Sequence, residues 1–296
     1  MQRQFLRFHT AMFAAILGIS LLVTGPSAVE AQERLPGDDI VRPWGQGIAP
    51  VFEGWYPNPD GDGYYVSFGY LNRNAEEIVD IPVGTSNFVD PEDLNGVQPT
   101  HFETRRHYGW FAVLVPEDFV EDQTANVLWT IDFRGERYEI PGRVTNPNYE
   151  IDAMYQAATG ITPPIVTLEP DGEEIRGPHG NDPVDRTVSV GDPLEITVWA
   201  EDESWYGAPA VAGGELEPHT VTLRYYTYAG PGDISFDRDN IEIEPQEDLT
   251  EATNTATFSE PGVYRVYVRA NNEGLVGAGQ EQCCWTNVYF DVTVEE

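Results

Sequence analysis

The chain has 296 residues, and its 50 acidic side chains outnumber its 16 basic ones to give a formal charge of −34. A protein with this charge repels nucleic acid and anionic membrane surfaces, so the composition excludes both as binding partners. With 41% hydrophobic and 12% aromatic residues, the chain can build folded cores and is not of the disordered class. Its length fits two domains of ordinary size.

Every basic residue is arginine, since the sequence contains no lysine. Acidic, lysine-free composition is typical of salt-adapted secreted proteins, but a GC-rich genome that replaces lysine codons with arginine codons gives the same pattern. In the first case salt should screen the self-repulsion, because the Debye length falls to about 3 Å near 1 M salt.

We therefore expect the thermal midpoint of unfolding to rise as NaCl is added at neutral pH. Thermal melts across a salt series measure this directly. Near the isoelectric point of about 4.2 the net charge is small, and there the same series should show a much weaker effect. A flat or falling midpoint at neutral pH would contradict salt adaptation.

The first residues are typical of a signal peptide that covers residues 1–31. Arg3 and Arg7 precede an apolar run at 11–23, and small residues mark a cleavage site after Ala31. An uncleaved membrane anchor is the alternative, although the run is short for a membrane span. We expect a secreted or periplasmic mature chain with no membrane span and a charge of −49 + 14 = −35.

After a flexible leader at 32–49, residues 50–150 are predicted to form a β-sandwich. Strands at Val51–Tyr56 and Tyr64–Leu71 flank a turn rich in Pro, Asp and Gly. Further candidate strands are Ile78–Val83, Gly109–Val115, Val127–Phe133 and Glu136–Ile140. The segment Gly109–Val115 is apolar on both faces, which predicts a central strand. About seven short strands are expected in this unit.

A linker at 151–163, with a helical hint at Ile151–Thr159, leads to a second unit at 164–296. Its clearest strand follows a Pro-Gly turn. The residues predicted to point inward are Tyr264, Val266, Val268 and Ala270. A tyrosine two residues after the glycine is typical of the tyrosine corner of immunoglobulin-like sandwiches. The fold class is therefore all-β, with two antiparallel β-sandwich domains, the second immunoglobulin-like with about seven strands.

The second unit also resembles the bacterial extracellular Ig-like repeats related to polycystin-type and cadherin-like domains. The segments that carry the resemblance are Val190–Leu194, Trp199–Asp202, Val221–Leu223 with Gly230–Phe236, and Thr255–Tyr264. The resemblance implies a spacer or binding module on a secreted protein. This chain has Glu203-Ser204-Trp205 where the family often has an Asp-rich run, so no calcium site is carried over. The first unit resembles no family of known function.

Alternation and sandwich topology together predict one candidate ligand-binding face on the second unit. Its residues, which point away from the predicted core, are Arg224, Tyr226, Tyr228, Arg265, Tyr267, Arg269 and Tyr289. Tyrosine and arginine are enriched where proteins bind, and this face suits a glycan or an extracellular protein. The alternatives are docking against the first unit and cation–π pairing on a solvated sheet.

Two further patterns are similar to parts of metal sites. The run Asn58–Gly63 matches half of a calcium loop, but Gly69 stands where the loop needs a bidentate Glu, so it predicts a turn. His101, Glu103 and His107 could share one face of a strand, but the arginines between them oppose a metal ion. No metal, other cofactor or catalytic residue is expected.

The two cysteines, Cys283 and Cys284, are adjacent. In an extended strand they would point to opposite faces, so a disulfide between them needs a tight turn. The sequence leaves two alternatives, which are a vicinal disulfide and two reduced thiols.

The predicted function is that of a non-enzymatic, secreted binding or adhesion module that recognises a glycan or a surface protein. The alternative is a secreted polysaccharide hydrolase or its accessory subunit. Carboxylates in a cleft between the two units would favour the alternative, and a flat Tyr/Arg face without a cleft would favour binding.

Overall fold

The computed structural model describes residues 42–120, 125–154, 161–203, 219–246, 248–272 and 283–296. The predicted signal peptide and the start of the predicted leader lie outside these ranges. Within them, the secondary structure is almost entirely β, with three short 3-10 helices at Glu92–Leu94, Glu117–Val120 and Pro147–Tyr149. None of the helices described is long and apolar enough to cross a membrane.

Seventeen strands are described. The first eight are β1 Ile48–Pro57, β2 Tyr64–Asn72, β3 Val79–Asp80, β4 Asn87–Asp90, β5 His101–Phe102, β6 Arg105–Val115, β7 Val127–Phe133 and β8 Glu136–Gly142. The other nine are β9 Ile165–Thr167, β10 Val184–Ser189, β11 Leu194–Glu201, β12 Val221–Ala229, β13 Ile234–Phe236, β14 Asn240–Ile243, β15 Thr250–Phe258, β16 Gly262–Asn271 and β17 Trp285–Glu295.

Strands β1–β8 form the first sandwich. Its two main sheets have the orders β1-β2-β6 and β4-β7-β8, and β3 pairs with β5. Phe68 and Phe111 from one sheet pack against Trp129 from the other. The two hairpin turns follow local chemistry: the Asn58 carboxamide oxygen accepts from the Asp60 amide, and Arg134 and Gly135 both have positive φ, as a two-residue type I′ turn requires.

The prediction that Gly109–Val115 is a central strand is wrong, because β6 lies at the edge of its three-stranded sheet. The segment is apolar on both sides for a different reason. Phe111 faces the core of the first sandwich, whereas Trp110 lies in a bulge and packs on Tyr226 and Tyr267 of the second sandwich.

Strands β9–β17 form the second sandwich, with sheet orders β10-β17-β16-β12-β14 and β13-β15-β11-β9. Strands β9, β11 and β15 correspond to A, B and E of an immunoglobulin fold, and β12, β16 and β17 to C, F and G. The tyrosine corner is confirmed, since the Tyr264 hydroxyl donates to the Glu260 carbonyl at 2.9 Å. One departure from a purely antiparallel fold is that β10 pairs with β17 in parallel.

The two sandwiches have separate hydrophobic cores, and residues of the second sandwich complete the core of the first. Tyr228, Tyr267 and Tyr289, which point away from the interior of the second sandwich, are buried in the same cluster as Phe68 and Trp129 of the first. The sheet that holds β12, β16 and β17 is therefore buried on both faces, as the run of buried residues from Val266 to Ala270 shows. This sheet therefore lies between the core of the second sandwich and the core of the first.

A glycine in the β6 bulge makes this packing possible. Gly109 has φ of +46°, a conformation that costs little only for glycine. A Cβ atom added there would lie 2.3 Å from the Trp285 ring. Close approach and a left-handed backbone both require glycine at this position.

Two segments predicted as connectors are ordered parts of the packing. Residues 42–49 were assigned to a flexible leader, yet β1 begins at Ile48 and the Gln46 amide donates to Asn74 at 2.7 Å. In the predicted linker 151–163, Ile151 and Ala153 are buried, and Ile161 packs on the cysteines. Of the helical hint, Ile151–Met154 is neither helix nor strand, and the rest lies outside the described residues.

A disulfide joins Cys283 and Cys284, and both residues are buried. This is the vicinal arrangement of the two alternatives. We expect free-thiol titration of the denatured, unreduced protein to find no thiol in a monomer. The same titration after reduction, which should find two, is the control. Two thiols before reduction, or covalent dimers on a non-reducing gel, would contradict the vicinal bond.

Candidate functional site

Most of the predicted Tyr/Arg face is not exposed. The exposed fractions are 0% for Tyr267, 1% for Tyr228, 7% for Tyr289 and 8% for Arg269, so the expectation that these residues face solvent is wrong. The physical reason is that the bulge of β6 and the loop before β5 cover this sheet. Of the other members, Tyr226 and Arg265 are half-buried and Arg224 is exposed.

Arg269 shows why this face joins the two sandwiches. Its guanidinium donates to the carbonyl oxygens of Tyr108 at 2.8 Å and Gly109 at 3.1 Å. It lies 4.9 Å from the ring centre of Trp285 and 5.3 Å from that of Trp110. Its described partners are therefore carbonyl oxygens, a hydroxyl and ring faces. These contacts join β16 to the β6 bulge. Of the alternatives for the Tyr/Arg face, this one is docking against the first unit.

Arg265, from the same face, is also paired within the protein. Its guanidinium forms two hydrogen bonds with Asp291, at 2.7 and 2.9 Å. The ligand-binding prediction thus keeps Arg224 as its one exposed member, and a single arginine does not form a binding face.

The two histidines considered for a metal have separate surroundings. His101 Nδ1 lies 2.7 Å from an Asp80 carboxylate oxygen, whereas His107 Nε2 lies 3.0 Å from the Thr104 carbonyl and its ring stacks on Tyr70 at 4.8 Å. In the described part of the chain, no group of three or more His, Cys, Asp and Glu side chains is placed to hold a metal ion.

These surroundings shift the two histidine pKa values in opposite directions. Burial lowers the pKa of His101, but hydrogen bonds to Asp80 and Glu103 outweigh it and raise the pKa to about 9. For His107 burial dominates, and it lowers the pKa to about 4. The unfolded-state pKa of histidine is about 6.5.

We therefore expect the free energy of unfolding contributed by these histidines to peak near pH 6.5. Below that pH the unfolded chain binds a proton that folded His107 rejects, so its stabilisation is lost as pH falls towards 4. Above it, the stabilisation from protonated His101 is lost as pH rises through 9. Urea unfolding across pH measures this.

Two variants separate the limbs of this pH profile. His107→Phe keeps a ring against Tyr70 and should flatten the acidic limb. His101→Asn should flatten the alkaline limb alone. If both variants keep the wild-type profile, the histidines do not set it.

The structure offers a different candidate site, a cleft of about 950 Å³. Pro59 and Asp60, in the β1–β2 turn, supply one side. The other side comes from the second sandwich, namely the turn after β9 and the segment that leads into β10. The residues that line it are Pro59, Asp60, Met154, Leu168, Glu169, Gly172, Glu173, Glu174, Ile175, Arg176, His179, Gly180, Asn181, Asp182, Val184 and Arg186. Its volume lies in the range of small-ligand sites.

His179 ties the two sides of the cleft together. Its ring stacks on Tyr65 of the first sandwich at 4.5 Å, and its Nε2 lies 3.6 Å from an Asp60 carboxylate oxygen. Burial lowers the pKa of His179, which favours the neutral ring. Asn181 fixes the entry to β10, because its carboxamide oxygen accepts from the Tyr289 amide at 2.9 Å.

The cleft has an apolar floor and an acidic rim. Ile175 is buried and Leu168 and Val184 are half-buried. The exposed rim residues are Asp60, Glu169, Glu173, Glu174 and Asp182. Against these five carboxylates stand Arg176 and Arg186, so the lining carries −5 + 2 = −3. Arg176 is itself paired with Glu203 at 2.7 Å.

A buried polar cluster near the disulfide is a second feature that sequence reasoning missed. The His219 amide donates to Asp202 at 2.7 Å, and Asn272 donates to the other Asp202 oxygen at 2.9 Å and to the Thr162 carbonyl at 2.7 Å. These bonds join the ends of β11 and β16 to the segments before β12 and β9. These hydrogen bonds hold that end of the second sandwich together.

The cleft was missed because its residues come from three separate segments and form no motif. The available signal was the run Leu168–Glu174, in which four acids surround a Pro and a Gly before β10.

No family model matches this chain, and no curated protein matches it. Among solved structures, the D00-D0 domain of intimin is 11% identical, covering 84% of this chain and 100% of that one, with a TM-score of 0.25. The fibronectin(III)-like modules of CbhA from Clostridium thermocellum are 11% identical over 84% of this chain and 95% of theirs, with a TM-score of 0.21.

A conjugative transposon lipoprotein from Bacteroides eggerthii is 18% identical over 38% of this chain and 91% of its own, with a TM-score of 0.23. All three TM-scores are low. The immunoglobulin-like assignment of the second sandwich therefore rests on its strand order and its tyrosine corner.

Proposed function

We propose that this protein is a non-enzymatic binding module that acts outside the cytoplasm and holds its ligand in the cleft between the two sandwiches. The observation that carries the proposal is the cleft itself, whose two sides come from sandwiches that pack together through Tyr228, Tyr267 and Tyr289. Because this packing fixes the two sides relative to each other, little ordering is needed when a ligand binds, and such pre-organisation favours affinity.

The family resemblance of the second sandwich supports the same function, since Ig-like repeats of this kind are spacers or binding modules. Membership of the second sandwich in this family is part of the same proposal. The sequence predicted a glycan or a surface protein as the ligand of the Tyr/Arg face, most of which is buried. The cleft is large enough to take a segment of either one instead.

A polysaccharide hydrolase is the second candidate, and the carboxylates in the cleft are the observation that favours it. Asp60 stands on one side, and Glu173 and Glu174 stand on the other. A glycosidase needs one carboxylic acid held in an apolar pocket beside a second carboxylate. The rim acids are instead exposed, with 79% of the Asp60 side chain accessible, and this favours binding over catalysis.

The test uses the mature chain on a glycan array and on intact bacterial cells, with E173Q/E174Q as the cleft variant. We expect binding by the parent and weaker binding by the variant. The matched control is E242Q/E244Q, which removes two acids beyond the cleft lining and should bind like the parent. If the parent hydrolyses a polysaccharide and the cleft variant does not, the result supports the second candidate. If the cleft variant binds as tightly as the parent, the cleft is excluded as the binding site.

A further inference from the structure

Strand β10 forms one border of the cleft and lies at the edge of its sheet. It pairs with β17 on one side, and it is terminal in the described strand order β10-β17-β16-β12-β14. In a parallel pair, alternate residues direct both their N–H and their C=O groups to the same side. About half of the residues of β10 therefore present backbone donors and acceptors towards the open edge, where an extended chain can pair.

The cleft beside this edge combines apolar and acidic side chains. Leu168, Ile175 and Val184 form an apolar floor, whereas Glu173 and Asp182 stand on the exposed rim. Successive side chains of an extended peptide point to opposite faces. A peptide that pairs with β10 would therefore place alternate side chains on the floor and the others at the rim.

Charge selects among the chains that could pair there. The cleft lining carries −3, so basic side chains are attracted to the rim. A second copy of this protein carries −34, and like-charge repulsion opposes edge-to-edge pairing of two copies. The negative charge that repels a second copy attracts a basic partner.

We propose that the cleft receives an extended, basic segment of another protein, which adds as a strand to the open edge of β10. Apolar residues of that segment contact the floor, and the arginines or lysines between them contact the rim. This inference rests on the proposed function and names the partner class for the same site. Backbone pairing supplies affinity, and the alternating side chains supply specificity.

The probe is a nine-residue peptide of alternating arginine and valine, titrated into the mature chain with binding followed by fluorescence anisotropy. Two isomers carry N-methyl groups on alternate residues, one set on each edge of the peptide strand. Pairing uses one edge, so one isomer should lose binding and the other should keep it. If both isomers bind equally, or lose binding equally, the peptide is held by charge alone. That result would overturn the proposal.

Variants of the rim test whether the peptide binds in the cleft. E173Q/E174Q should weaken binding about fivefold at low salt, since two exposed charges are removed, and E242Q/E244Q should leave it unchanged. Equal weakening by both variants would overturn the proposal, because the contact would then be general surface charge. A glycan that binds in a cleft-dependent way while the peptide does not would overturn strand addition and leave the proposed function standing.

Discussion

Tyr267→Ala should lower the free energy of unfolding by about 3–5 kcal/mol, the usual loss when a buried large aromatic side chain is truncated to alanine. Tyr267 is fully buried, its ring contacts Trp110 at 4.7 Å and stacks on Tyr289 at 5.4 Å, and its hydroxyl donates to Asn287 at 2.6 Å. Urea unfolding at equilibrium measures the change.

Two further variants show which part of the side chain matters. Tyr267→Phe keeps the ring and removes the hydroxyl, so about 1 kcal/mol should be lost. Arg224→Ala, at an exposed position of the same sheet, should change stability by no more than about 0.5 kcal/mol. If the Tyr267→Ala variant has the same urea midpoint of unfolding as the wild type, this face does not join the two sandwiches as described.

The fragment 42–154, which contains β1–β8, should fail to fold on its own. Three tyrosines of the second sandwich complete its core, and the burial of each large side chain contributes roughly 1.5–3 kcal/mol. A domain is stable by only about 5–15 kcal/mol, so the loss of all three, about 4.5–9 kcal/mol, is comparable with that whole margin. Urea unfolding, near-UV circular dichroism and the dispersion of amide proton shifts report the result.

The control for this experiment is the fragment 42–296, which keeps both sandwiches and should unfold in one cooperative transition. A cooperative transition of the 42–154 fragment, together with a native-like aromatic spectrum, would show that the first sandwich forms an independent domain.

Alternation in the sequence predicted the two faces of β16 correctly, since Tyr264 and Val266 lie in the second core and Tyr267 lies on the opposite side. What covers the opposite side is a tertiary property that a period of two cannot specify. A hint was present, because the seven residues predicted for this face include four tyrosines, and its one nearby acid, Asp291, is paired with Arg265. Such a face is more apolar than a solvated one needs to be.

The extra residues in the β6 bulge could not be predicted either. The segment Gly109–Val115 has an apolar pattern on both sides, and a buried central strand explains that pattern as well as a bulge between two cores does. The β register depends on where Gly69 and Gly109 permit close approach, and this depends on partners far away in the chain. The cleft was missed for the same reason, since its two sides are more than 100 residues apart.

The hydrogen bond from the Tyr289 hydroxyl to the Trp110 carbonyl spans 179 residues, and this has a consequence for synthesis. Chains leave the ribosome amino end first, at about 5–20 residues per second. The strands of the first sandwich are therefore made well before β17, which supplies Tyr289. For roughly ten seconds or more the Trp110 ring therefore lacks the tyrosine rings of the second sandwich on which it packs. Nascent chains of this protein should accordingly depend on a chaperone that shields aromatic surface until β17 has been made.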